Sequence, residues 1–380
     1  MTPKPFHIVL TTIRVPDVLD SYLDNIRQYG HLDEVKVWVI GDRKTPATAG
    51  DCAGRLTRQG LETVFMDPGD QEKWGKRCAD FCRRLPVNNE TRRNIGYLRA
   101  LEEGCRTLIA VDDDNFPTDS DFIAGHGETG GPARGRALTS AAGFYNVCDH
   151  LNLDRAGRVY PRGYPFLLRN GSIPEVTLTD LADGAGYGIT MGLWTGSPDL
   201  DAVTWLNGPV TSLAYTGANR YVLAHDTWIP VSGQNVSVAR DLIPAYCCIP
   251  MGWPVPGGNI QRYGDVWGGY FLQAVIDRTP YHVAFGRPVV DHRRNRHCYL
   301  DDLRHEYWGM MLTDWLVGLL KSEFHPAASG IPDRTMELAG FLADNAVARM
   351  PEWCPDELKA FLRQTADNLS AWVSACRRLS

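Results

Sequence analysis

The stretch "RTLIAVDDDNFPTD", Arg106 to Asp119, decides how the rest of the chain is read. Four apolar residues, Leu108 to Val111, run directly into three consecutive carboxylates, Asp112, Asp113 and Asp114. Adjacent carboxylates repel each other, and drawing them out of water adds to that cost unless a cation compensates. A buried strand that delivers aspartates at its end is a way to hold a divalent cation on hard oxygen ligands, which suits Mg2+ or Mn2+. The plainer alternative is an exposed acidic turn in which Asp114-Asn115 caps a neighbour. Placement straight after an apolar strand favours the metal.

Working outward, "FHIVLT" (6–11) reads as a first strand, and the segment after it has helical spacing at Val18, Leu19, Leu23 and Ile26. "EVKVWVIGD" is a second strand ending in Gly41-Asp42, and "LETVFMD" a third. Residues 90–103 read as a helix with Ile95, Leu98 and Leu101 on one side, closed by Gly104. Strand and helix in alternation predict an α/β domain with a largely parallel sheet, in which ligands bind outside the carboxyl ends of the strands. The acidic triplet sits at such an end. From about 140 to 300 the texture changes to short β-like runs rich in Gly, Pro and Trp. Beyond residue 302 the chain turns helical, so the predicted division is 1–302 and a C-terminal helical extension, 303–380. Apolar faces on that extension (Leu319, Leu338, Phe341, Leu358, Phe361 and Trp372) suit packing on the core or on a second subunit, so a homodimer stays open.

A 380-residue chain that is 44% apolar and 22% charged can build a substantial core. Its net charge of −6 gives no electrostatic case for nucleic acid or an anionic membrane as partner. No apolar run approaches a membrane span, and Arg14 cuts off the short N-terminal one before any cleavage site. The ten cysteines have no zinc spacing and no CxxC pair, which together predict reduced thiols in a cytoplasm. No lysine occurs between Lys76 and Lys321. Anions met by the middle of the chain must therefore be met by arginine, backbone amides or metal.

Four further motifs carry weight. "GHGETG", Gly125 to Gly130, fits a dinucleotide fingerprint by letter, but it follows an acidic stretch rather than a strand and reads as a flexible loop. That removes the obvious place for a flavin. "YPRGYPFLLRNG" sets Arg162 and Arg169 around a rigid aromatic-proline core, facing phosphate or sugar, or else merely packing Tyr164 and Phe166 inward. In "QRYGDVWGGYFLQAVID", Asp265 stands at a helix start, as cap, sugar ligand or base. In "VVDHRRNRHC", His292 follows a strand as a possible further metal ligand beside three arginines.

Taken together these segments resemble the reversibly glycosylated polypeptides of plants, the UDP-arabinopyranose mutase family. The likeness runs in ordered patches from about residue 8 to 300. It includes Thr12, Arg14 and "DVLD", the "RNIGY" segment with Arg93, "VDDDNF", and "RGYPFLLRNG" with Arg162. It continues through Pro198, Asp199, Asp201 and Thr204, then Gly233 and Asn235, then Arg262, Tyr263, Asp265 and Trp267, and His292. Departures include Gly264-Asp265 in place of paired acids, and expanded segments at 119–140 and 172–190. The arginine-rich composition points to a bacterial rather than a plant source.

The resemblance implies a glycosyltransferase-A-like fold: a Rossmann-like mixed sheet flanked by helices, making residues 1–302 a nucleotide-sugar domain. It implies a metal-dependent, flavin-free mutase that interconverts pyranose and furanose forms of a UDP- or GDP-sugar. The alternative is a metal-dependent glycosyltransferase that passes the sugar to an acceptor. On this reading Asp112, Asp114 and His292 hold Mn2+ or Mg2+ on the diphosphate. Thr12, Arg14, Asp42, Arg93, Asp113 and Asn235 contact the nucleotide-sugar. Arg162 corresponds to the arginine that the family glycosylates, and it either captures C1 or holds the ion pair together. A guanidinium is protonated up to a pKa above about 12, so a carboxylate, Asp199, Asp201 or Asp265, has to assist.

Overall fold

A computed structural model describes residues 3–380. Strands β1 (Phe6–Thr12), β2 (Val35–Gly41), β3 (Glu62–Met66) and β4 (Thr107–Val111) form a parallel set in the order β3-β2-β1-β4. Every β4 side chain is buried, as is nearly every one in β1 and β2, so these strands read as continuous apolar runs rather than alternating ones. Helices α1 (Val18–Gln28), α2 (Thr48–Arg58) and α3 (Arg93–Glu102) connect or flank them. Gly96 in α3 has a packing reason. A Cβ there would lie 2.4 Å from Val9 Cγ1 and 3.1 Å from Ile40 Cγ1, so only glycine lets α3 lie this close to the sheet.

Beyond β4 the sheet continues through strands of mixed direction. In chain order these are β5 (Asn115–Pro117), β6 (Arg136–Ser140), β7 (Val176–Asp180), β8 (Gly186–Gly196), β9 (Arg220–Leu223), β10 (Asn235–Ala239) and β11 (Tyr281–His292). The main path of the sheet is β3-β2-β1-β4-β10-β8-β11-β9-β6-β7, with β5 paired to β11 and two short strands, Leu151–Leu153 and Ser212–Tyr215, paired to each other, the second also to β8. A Rossmann-like parallel half thus runs into an antiparallel neighbour, β10, and a second half of mixed pairing. This is the expected mixed sheet, Rossmann-like in its first half and flanked by helices.

Register brings the distant segments together. Thr12 pairs with Gly41, so β1 and β2 finish level, and Val9 pairs with Ala110, so β4 ends just short of them and its acidic turn leaves beside the end of β1. His292, at the end of β11, pairs with Asn115 of β5 and with Gly196 of β8. The turn carrying Asp112–Asp114 therefore has Thr12 on one side and His292 on the other. The letters of the dinucleotide fingerprint do not form the flexible loop expected of them. Residues Phe122–Gly127 make a short helix capped by Asp121, because Phe122, Ile123 and His126 are buried there. They follow β5 and open no βαβ unit.

The longer helices of the second half are α4 (Gly264–Val275), α5 (Tyr299–Glu323), α6 (Ile331–Phe341) and α7 (Asp356–Leu379). Trp372 of α7 is fully buried, 5.0 Å from Phe81 between ring centroids, and its indole N–H donates to the Ile243 carbonyl. Phe361 lies 5.9 Å from Trp267 of α4. One contiguous apolar cluster runs from β1 to α7. Among the described residues no helix is long and apolar enough to cross a membrane.

Candidate functional site

Two cavities meet over the acidic turn. One, of 350 Å³, lies over the carboxyl ends of β1 and β2 and is lined by Thr12, Arg14, Asp42, Asn89 and Arg92. The other, of 190 Å³, is lined by Arg162, Arg262, Asp265, His292 and Arg294. Glu90, Arg93, Asp112, Asp114 and His297 line both. A larger cleft of 700 Å³ around His225, His282 and Lys321 contains none of the residues singled out above.

Within the turn each carboxylate has its own partner. Asp112 accepts from the Arg93 guanidinium, which also donates to the Gly233 carbonyl. Burial pushes Asp112 up to about 6, with Asp114 adding to the rise and Arg93 opposing it. Asp113 turns the other way, accepting a 2.6 Å hydrogen bond from the Thr12 hydroxyl, and burial raises it too. Asp114 accepts from the Asn295 amide, and its Oδ1 stands 3.5 Å from His292 Nε2. Burial pushes His292 down, yet Asp114 more than offsets this and holds the imidazole above its usual range.

Three of these groups test the fit of a divalent cation. Among the described residues no group of three or more His, Cys, Asp and Glu is close enough to cage one. The donor chemistry nonetheless fits. Asp112 and Asp114 present hard oxygens to one cavity, beside an imidazole whose Nδ1 is anchored at the Ser197 carbonyl, leaving Nε2 directed at the turn. Like charge crowded into a buried turn is the condition a cation relieves.

Arg162 is the most constrained side chain of the second cavity. Its Nε and Nη2 donate to the two oxygens of Asp199 at 3.0 Å each, a bidentate fork. Its Nη1 and Nη2 donate to Asp265 at 3.2 Å each, and Nη1 also donates to the Arg262 carbonyl. Burial alone would lower its pKa, but the two carboxylates hold it well above the ordinary arginine value. Asp265 is held in turn by the Gly233 and Val266 amides, both at 2.9 Å, and sits in the first turn of α4. Arg162 outweighs burial and keeps the Asp265 carboxyl below its usual range.

The structure thus brings Thr12, Arg14, Asp42, Arg93, Asp112, Asp113, Asp114, Arg162, Asp265 and His292 to the two joined cavities. Asp199 stands directly behind Arg162. Two of the expected residues lie elsewhere. Asp201 pairs with Arg169 at 2.6 Å and caps the helix Ala202–Leu206, without touching Arg162. Asn235 is buried in β10, where it bonds His126 and the Pro288 carbonyl and lines neither cavity. Sequence reading missed Arg294, His297 and Glu306. Arg294 stacks over Trp205 at 5.0 Å and pairs with Asp302, while Glu306 holds Arg262. The arginine run after His292 hinted at the first of these, but nothing local marked Glu306.

Residues 84–380 match the family model described as reversibly glycosylated polypeptide. The chain belongs to that family. The probable UDP-arabinopyranose mutase 1 of Zea mays is 32% identical over 324 residues, covering 79% of this chain and 76% of the maize protein. UDP-arabinopyranose mutase 1 of Oryza sativa subsp. japonica is 27% identical over 400 residues, covering 99% and 95%. The match to UDP-arabinopyranose mutase 2 of Arabidopsis thaliana, 26% identical, takes in 60% of this chain and only 56% of the length of that relative. Among solved structures, glucosyl-3-phosphoglycerate synthase from Mycobacterium tuberculosis, in complex with Mn2+ and UDP-glucose, covers 82% of this chain and 79% of its own. It does so at 13% identity and a TM-score of 0.37, too distant to transfer a residue or a ligand.

Proposed function

We propose that this family member is a flavin-independent, divalent-metal-dependent nucleotide-sugar mutase that interconverts pyranose and furanose forms. A UDP-sugar is the first donor to test, given the names of its relatives, with GDP-sugars as the second. The observation that carries the reading is the pair of joined cavities sharing Asp112 and Asp114. One lies over the carboxyl ends of β1 and β2, where this reading seats the nucleoside, and the other is lined by the clamped Arg162.

In this reading Thr12, Arg14 and Asp42 receive the nucleoside end of the donor, with Asp113 held back by Thr12. Asp112, Asp114 and His292 would hold Mn2+ or Mg2+, whose contribution is to neutralise charge on the diphosphate. Arg93 faces the same junction and stabilises the departing oxygen electrostatically. The C1–O bond breaks with its electron pair leaving on the diphosphate, and the sugar faces Arg162. The fully paired guanidinium supports its stabilising the diphosphate–sugar ion pair. Covalent capture of C1 by a guanidinium nitrogen would require Asp199 or Asp265 to take the displaced proton. A different hydroxyl of the sugar then closes on C1 as the original C1–ring-oxygen bond opens, its proton passing to the released ring oxygen, and attack of the diphosphate oxygen on C1 completes the exchange.

NMR of the purified protein with UDP- and GDP-hexoses and pentoses tests this, first with Mn2+ and then with EDTA. A furanose anomeric signal that appears without flavin or acceptor, and disappears with EDTA, is the expected result. Slow hydrolysis alone would instead favour transfer to an acceptor from the same site.

A further inference from the structure

Arg262 has a backbone φ of +64°, in the left-handed region. A residue with a Cβ stays there only when its surroundings over-determine it, and such positions gather where function needs a fixed geometry. Among the described residues two other non-glycines share this sign of φ. Asn88 is of a type that adopts it readily, and Arg278 has an exposed side chain. Arg262 differs from both because it lines the cavity around Arg162.

The restraint comes from α5. Glu306, fully buried, accepts from Arg262 Nε at 2.8 Å with one oxygen and from the Ala202 amide at 2.8 Å with the other. Asp302 adds a contact to Arg262 Nη1 at 3.4 Å, and the Gln261 amide donates to the His305 carbonyl. The two segments that Glu306 ties down are the two that hold Arg162. The left-handed turn at Arg262 aims its carbonyl at Arg162 Nη1, and the segment ending at Ala202 carries Asp199, which forks the other side of the guanidinium.

We infer that Glu306 is a positioning residue for Arg162. It locks the Arg262 backbone so that its carbonyl fixes the guanidinium, and it steadies the Asp199 segment opposite. The Arg262 side chain serves as the tether rather than as a sugar ligand. This rests on the reading that Arg162 faces the sugar, and it gives the first helix after residue 298 a part in the chemistry.

The test uses the full chain. Glu306→Gln has a single acceptor oxygen for two donors, so kcat for pyranose–furanose exchange of a UDP-sugar should fall about 10- to 100-fold, with UDP affinity changed less than about threefold. Adding Arg262→Gly should then recover at least about fivefold of the lost kcat. Glycine adopts a positive φ without a tether, and the remaining oxygen is free for Ala202. Absence of any recovery would overturn the inference, because Arg262 would then act through its guanidinium. A second readout needs no turnover: hydrogen exchange of the Arg162 Nη protons, followed by 15N NMR. Exchange should be slow in the wild type, faster in Glu306→Gln and slow again in the double variant. Should Glu306→Gln not fold, Arg262→Gly alone decides. Retained protection of the Arg162 protons supports the carbonyl contact, and lost protection sinks it. A wild type that turns over no donor would remove the proposed function while leaving this exchange test intact.

Discussion

A guanidinium between two carboxylates, far from bulk water, is stable only while all three charges are present. Removing Arg162 leaves Asp199 and Asp265 facing each other without a counter-charge, so Arg162→Ala should destabilise the fold by about 3–5 kcal/mol. Urea unfolding measures this directly. Arg162→Lys keeps the charge but cannot reproduce the fork to Asp199, and it should lower turnover about 100-fold while the protein stays folded. Two aspartates a mere two positions apart should behave differently. Asp199→Asn should reduce donor turnover. Asp201→Asn, which weakens a helix cap and the Arg169 pair, should lower stability by about 1–2 kcal/mol and leave UDP affinity unchanged. Calorimetric titration with UDP alongside thermal melts separates the two. If the Asp201 variant loses UDP affinity, it touches the ligand site after all.

Between elements, the decisive contact is the approach of α3 to the sheet at Gly96. Its N-terminal turn carries Arg93, so the depth of this helix sets where that guanidinium meets Asp112. Gly96→Ala must push Val9 and Ile40 aside, and it should cost about 1–3 kcal/mol by overpacking. Because α3 would shift outward, the same change should also weaken UDP binding, which a titration at fixed Mn2+ would detect. A variant with unchanged stability and affinity would mean that the neighbouring side chains yield instead.

For the molecule as a whole, two buried histidines set a pH dependence. Burial lowers both His7 and His126 to about 3, and His126 is wholly enclosed by Ser237, Asn235 and Phe122. Unfolded, each titrates near 6.5, so the unfolded state binds protons that the folded state refuses. Stability is therefore fully present above about pH 6.5 and falls as the pH drops from there toward 3, by about 2 kcal/mol per histidine at pH 5. Urea unfolding at pH 7 and pH 5 measures the fall, and His126→Gln, which cannot protonate, should shrink it. The C-terminal helices belong to this scale too. Trp372 and Phe361 fill positions against Phe81 and Trp267, so a chain ended at residue 302 should expose a large apolar face and lose cooperative unfolding.

The sequence by itself determined the first half of the sheet, the placement of the acidic triplet at a strand end, and the arginine motif around Arg162. Each of these is written in a few adjacent residues. Apolar runs of strand length end in charge, helical spacing falls between them, and the 160–171 segment stands out by its two arginines around an aromatic-proline core, though its residues alone fit a packed loop equally well. Only the tertiary structure decided which of Asp199 and Asp201 faces Arg162, because a spacing of two is compatible with either once the strand has ended and a capped helix begins. It also decided that Asn235 turns into the interior, since β10 is covered on both sides and its side chain has to satisfy His126. Glu306 lay beyond sequence reading altogether. Nothing in a long helix announces which of its carboxylates will be buried, and its partners stand 44 and 104 positions away.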